Sequence, residues 1–108
     1  MTDKDLYIGL IRLHVLHHAA VEPVFGLGII EELRRHGYEL SAGTLYPLLH
    51  GLERKGYLVS HSERNGRRGR RVYAITAAGR KALAGAKLRV KELFGELFED
   101  DTHTPPTA

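Results

Sequence analysis

Residues 57–75 set the tightest limit on what this chain can fold into. Tyr57-Leu58-Val59-Ser60-His61-Ser62 and Arg70-Arg71-Val72-Tyr73-Ala74-Ile75 alternate loosely and are β-branched or aromatic, and Asn65-Gly66 between them is a hairpin-turn dipeptide. The spacing predicts a two-stranded ribbon whose tip spans residues 63–69. A lone ribbon is not stable in water, so it must lean on another layer. Every other ordered stretch of the chain has helical spacing, so that layer is helical.

The helices follow from apolar periodicity and stop signals. Residues 6–20 carry Leu6, Leu10 and Leu13 on one stripe and Ile8, Ile11 and Val15 on a neighbouring one, and Glu22-Pro23 ends the run. A helix apolar over that much of its circumference must be covered on more than one side, and its own core can use only one. A second helix is expected over about 24–36, with Leu27, Ile30 and Leu33 facing inward and Gly37 as its stop. Gly26 and Gly28 within it point to a close helix–helix approach. A third helix starts near Ser41, an N-cap residue, with Leu45, Leu48, Leu49 and Leu52 as its core stripe and Gly56 as its end. Pro47 requires that it either start late, at Thr44, or bend. Thr76 caps a last helix from Ala77 to about Glu99, where Leu83, Ala86, Val90, Leu93 and Leu97 keep a 3-4 heptad rhythm widened by Phe94 and Phe98. Residues 100–108, with Pro105-Pro106, read as a disordered tail.

Helix, helix, helix, hairpin, helix is the order of a winged helix-turn-helix with a long C-terminal dimerisation helix added. The expected division is a DNA-binding unit over 1–76, the dimerisation helix over 77–99 and the tail. The 108 residues suffice for one core, and their 43% hydrophobic and 27% charged content is that of a globular domain. The absence of cysteine excludes disulfides, thiolate metal sites and cysteine nucleophiles, and fits a reducing, cytoplasmic location. The N-terminus has no basic lead, and no apolar run approaches the ~18 residues of a membrane helix, so no membrane partner is expected.

The charge is concentrated. Residues 54–71 carry +6 of a chain whose net charge is +3, so the remainder sums to −3. Five arginines within eight residues (Arg64, Arg67, Arg68, Arg70 and Arg71) load the ribbon tip, a pattern suited to a polyanion. The polar face of the third helix adds Pro47, His50 and Arg54, flanked by Tyr46. Ser41 and Thr44 at its start cap it and offer phosphate contacts, since a helix N-terminus favours an anion. Double-stranded DNA is the expected partner, with the third helix as reader and the ribbon as phosphate or minor-groove contact.

The run Gly37-Tyr38-Glu39-Leu40-Ser41-Ala42-Gly43-Thr44-Leu45-Tyr46-Pro47-Leu48-Leu49, then Leu52-Glu53 and Gly56-Tyr57-Leu58, resembles the PadR family of bacterial transcriptional regulators. Arg70-Arg71-Val72-Tyr73-Ala74-Ile75-Thr76-Ala77-Ala78-Gly79 matches that family's second signature, a basic pair, an aromatic strand and Thr-x-x-Gly. The resemblance covers about residues 6–98 and is to the compact subclass with one C-terminal helix. It implies a homodimeric repressor in which the last helix of each chain packs on the first helix of the other. The candidate interface is Leu6, Leu10, Leu13, Leu83, Val90, Leu93, Phe94 and Leu97. The chain departs from the pattern in carrying His61 where many members have tryptophan, and Val72 for the first of two aromatics. Compact members that sandwich flat ligands use tryptophans, and this chain has none. An effector of unknown identity is the only small-molecule partner expected.

No catalytic residues or cofactor are expected: there is no Gly-rich phosphate loop, and Ser41 and Ser60 have histidines nearby but no third orienting group. His14 and His18 are four apart on one helix with His17 beside them, a spacing that permits shared coordination. With no third ligand evident, they are read as polar or pH-sensitive partners at the subunit interface, and no metal site is assigned. The alternative to a DNA-binding regulator is a winged-helix protein-interaction module using the acidic end of the last helix. A protein-binding winged helix has no need of five arginines on its wing.

Overall fold

A computed structural model describes residues 3–65 and 68–99. Its order is α1 (Lys4–Val21), β1 (Val24–Phe25), α2 (Gly26–Arg35), α3 (Ala42–Arg54), β2 (Leu58–Asn65), β3 (Arg68–Ile75) and α4 (Ala77–Phe94), the last continued by a wider π-helical turn, Gly95–Glu99. This is the expected mainly helical chain with a small sheet. The expected tail, 100–108, lies outside the described residues.

The sheet has three strands rather than two. β1 adds to β3 as an antiparallel neighbour, Val24 opposite Tyr73 and Phe25 opposite Val72, giving the order β1-β3-β2. The second helix therefore begins at Gly26, two residues later than its apolar pattern predicts. Two residues are too few for a periodicity to show, and Val24 and Phe25 read equally well as helix or strand. Leu27, expected inside, is 67% exposed, while Ile29, Ile30 and Leu33 are buried. Leu27 stands roughly 110° round the helix from the centre of that buried face. The ribbon is also longer than expected: pairing runs from Leu58 opposite Ile75 out to Asn65 opposite Arg68, so most of the expected tip is strand.

Glycine and hydroxyl residues set the helix ends. Gly37 and Gly56 have φ of +89° and +82°. Each closes a Schellman motif, with Tyr38 N donating to Leu33 O at 2.9 Å and Tyr57 N to Leu52 O at 2.9 Å. Ser41 Oγ accepts from Thr44 N at 3.3 Å, and Thr76 Oγ1 accepts from Gly79 N at 2.9 Å. Helix α3 starts at Ala42 with Pro47 inside it. The bond that Pro47 cannot make falls on Gly43, an exposed residue whose carbonyl water can serve.

One core joins these elements. Ile11, Val15 and Leu16 of α1 meet Ile29, Ile30 and Leu33 of α2 and the four leucines of α3, all buried. Tyr73 and Leu58 close it from the sheet, and Leu83 from the start of α4. Gly26 admits the α3 side chain Tyr46, whose hydroxyl occupies the space a Cβ would take. The close approach expected of the second helix is therefore found at Gly26, whereas Gly28 packs against Phe25 of the adjoining strand. Gly79 has the same character, since a Cβ there would run into the backbone carbonyl of Tyr57. Thr76 also donates its hydroxyl to Gly56 O, so the Thr-x-x-Gly signature is the joint between α4 and the end of α3. Among the described residues no helix is long and apolar enough to cross a membrane.

Candidate nucleic-acid interface

Helix α3 divides cleanly. Its leucine stripe faces the core, and Gly43, Pro47, His50 and Arg54 form an exposed stripe along the opposite side. Ser41 is exposed at the start of the helix, and its hydroxyl lies 3.3 Å from Thr44 Oγ1. Thr44 is half-buried. Tyr46 is half-buried too, its ring held between Gly26 and His50, with the Tyr46 and His50 ring centroids 6.4 Å apart. Tyr46 therefore packs inside the chain as well as bordering the outer face.

The wing carries Arg64, Arg70 and Arg71 exposed on paired strands. Arg67 and the side chain of Arg68 lie outside the described residues. Alternation along the strands separates the three arginines. Arg70 stands opposite Glu63, 3.3 Å from its carboxylate, and lies over the Phe25 ring at 4.0 Å. That stacking is a guanidinium–π contact that holds the arginine stem against the strand β1. Arg71 and Arg64 fall on the other face of the ribbon.

Arg71 takes part in a polar chain that no spacing in the sequence points to. Its guanidinium donates to Ser60 Oγ at 2.9 Å, and Ser60 Oγ donates to Glu53 Oε2 at 2.7 Å. Ser60 N donates to the same carboxylate oxygen at 3.1 Å. The Ser60 hydroxyl, its backbone N–H and the nearby Arg71 charge together hold the Glu53 carboxyl below its ordinary range, against an opposing effect of burial. The end of α3 is thereby fixed to the base of the wing, so the helix and the ribbon present their charges as one unit. A serine in the alternating strand and a glutamate seven residues earlier were the available signals; neither is specific.

The expected dimer residues separate into two groups. Leu6, Leu10, Val90, Leu93, Phe94 and Leu97 are exposed large apolar side chains. Leu13 is half-buried against the core, and Leu83, at 7% exposure, belongs to the core of its own chain. Leu10, Leu13, Leu83, Val90 and Phe94 line an open apolar groove of about 470 Å³ between α1 and α4.

Comparison with known proteins gives a consistent result. Residues 15–85 match the model of the transcriptional regulator PadR-like family. The chain is 49% identical over 101 residues to the transcriptional regulator Rv3488 of Mycobacterium tuberculosis, covering 94% of each protein. It is similar to the crystal structure of a PadR family transcriptional regulator from Eggerthella lenta, with 28% identity, a TM-score of 0.79, and coverage of 93% of this chain and 88% of that one. The fold also resembles that of a PadR-like transcriptional regulator from Bacillus cereus, with a TM-score of 0.78 at 20% identity over 94% of this chain and 99% of that one.

Proposed function

Since the chain belongs to the PadR-like family of transcriptional regulators, we propose that it is a cytoplasmic homodimer that binds an inverted-repeat operator and represses transcription by occluding the promoter. The observation that carries this reading is the wing. Five arginines sit within eight residues of a ribbon whose base is bonded to the end of α3 through Glu53, Ser60 and Arg71. A charge cluster joined in this way to an exposed helix stripe of Pro47, His50 and Arg54 suits a duplex, where the helix meets base edges and the arginines meet phosphates. Residues 1–76 are the DNA-binding unit in this reading and 77–99 the dimerisation helix.

The dimer is supported by the apolar side chains left uncovered on α1 and α4. Each leucine-sized side chain that a partner buries contributes about 1.5–3 kcal/mol. Two-fold symmetry doubles the contacts and fixes the spacing of two reading helices. An effector acting on the angle between the two halves would release the operator.

The test is a duplex-binding titration against salt. Replacing Arg67, Arg68 and Arg70 by alanine lowers affinity for every duplex and reduces the salt slope by about 0.9 for each phosphate that is no longer neutralised. Unchanged affinity together with an unchanged slope overturns the wing as a DNA contact.

A further inference from the structure

The structure brings a third histidine to the pair that the sequence leaves without one. His14 and His18 are on one face of α1, and His36 caps the C-terminus of α2. One nitrogen from each ring falls within 4.8 Å of the other two. The rings lie close together, with centroids 4.7 Å apart for the stacked pair His14 and His36 and 5.8 Å apart for the tilted pair His18 and His36. His18 Nε2 is buried and has no hydrogen-bond partner among the described residues. A buried ring nitrogen left unpaired is costly, and a metal ion is one of the few groups that satisfies it without a proton.

We propose that His14, His18 and His36 form a binding site for a divalent transition-metal ion of the zinc class. Three imidazoles are a donor set for Zn²⁺, Co²⁺ or Ni²⁺ and a poor one for Mg²⁺ or Ca²⁺, which take oxygen ligands. A tetrahedral ion with bonds of about 2.0–2.1 Å needs ligand nitrogens roughly 3.3 Å apart, a contraction that small side-chain rotations supply. Glu32 Oε2 lies 3.5 Å from His36 Nε2, the place of a carboxylate that orients a ligating imidazole. Burial, followed by the neighbouring imidazoles, keeps His14 below the ordinary histidine range; for His18 burial leads again, opposed by Glu32. Both shifts favour the neutral form of the ring, which is the form that binds metal. His17, one residue from the pair, is exposed and stands outside the group.

A bound ion would tie α1 to the end of α2, immediately before the turn that leads into α3. The inference is independent of the DNA-binding reading, because the test involves no DNA. Metal-free full-length protein without a purification tag is titrated with Co²⁺ and followed by its visible absorption. The expected result is one ion per chain with the d–d bands of a tetrahedral site, displaced by Zn²⁺ and retained in Mg²⁺. His18→Gln and His36→Gln weaken binding by at least about 10-fold, as losing a ligand costs no less than losing an outer-shell partner. His61→Gln, on strand β2 and outside the group, binds as the parent does. His36 is exposed, so its variant keeps the native circular dichroism and isolates ligation from folding. Absence of a saturable tetrahedral spectrum, displacement by Mg²⁺, or unchanged binding in His36→Gln overturns the site.

Discussion

Replacing Gly79 with alanine opposes two physical effects of opposite sign. By helix propensity alone the change is favourable by about 1 kcal/mol. Its surroundings oppose it: the new Cβ would collide with Tyr57 O and lie 2.7 Å from Ile75 Cγ1 and 3.0 Å from Tyr57 C. The nearest of these atoms is backbone, and it accepts the 3.0 Å bond from Thr76 N that leads the chain into α4. It cannot swing aside as a side-chain tip would. Overpacking of this kind costs about 1–3 kcal/mol, and weakening the Thr76–Tyr57 bond adds about 1 kcal/mol. The net expectation is a loss of about 2 kcal/mol, or a fall in Tm of about 8–16 °C for a domain of this size. Gly85 on the same helix has no described atom within 4 Å of where a Cβ would sit, so Gly85→Ala is expected to stabilise by up to about 1 kcal/mol. Thermal unfolding of both variants at one protein concentration decides the matter. A Gly79→Ala protein as stable as its parent would refute the account of how α4 joins the core.

Two further expectations concern the polar chain and the dimer. Glu53 has its carboxyl held below its ordinary value of 4.5, chiefly by the Ser60 hydroxyl, so its contribution to stability is full above that value and is lost as pH falls through the folded-state value. Urea midpoints measured from neutral to acid pH should therefore fall less steeply in Glu53→Gln than in the parent; identical acid limbs would count against the Glu53–Ser60 link. Leu93→Glu with Leu97→Glu places charges on the exposed apolar face of α4 and is expected to give monomers that lose operator binding with the wing arginines intact. Sedimentation velocity reads this directly, and a folded dimer that still binds operator would put the interface on another surface.

The parts of the fold that are legible in the sequence are those with a repeated pattern or a residue of restricted use. The α3 leucine stripe, the Ser41 and Thr76 caps and the stops at Gly37 and Gly56 all appear where spacing and backbone chemistry place them. Elements shorter than a period escape: Val24 and Phe25 form β1, and their pairing with β3 shifts the start of α2 and turns Leu27 outward. Contacts between residues far apart in sequence escape as well. Nothing in the primary sequence joins His36 to His14 and His18, because only the packing of α2 on α1 brings them together. Arg70 and Arg71 read simply as positive charges, whereas in the fold Phe25 and Glu63 hold the first and Ser60 the second. The heptad rhythm of α4 is real, but it spans two environments: Leu83 completes its own core, and Val90, Leu93 and Leu97 remain exposed.

Selection of binding sites from a library of random duplexes tests the central claim most directly, because it asks at once for DNA recognition, sequence preference and two-fold symmetry. An inverted repeat whose half-sites are centred about 10–10.5 base pairs apart, or a multiple of that spacing, is expected to be enriched. Enrichment of a single asymmetric half-site, or of no sequence at all, would contradict it.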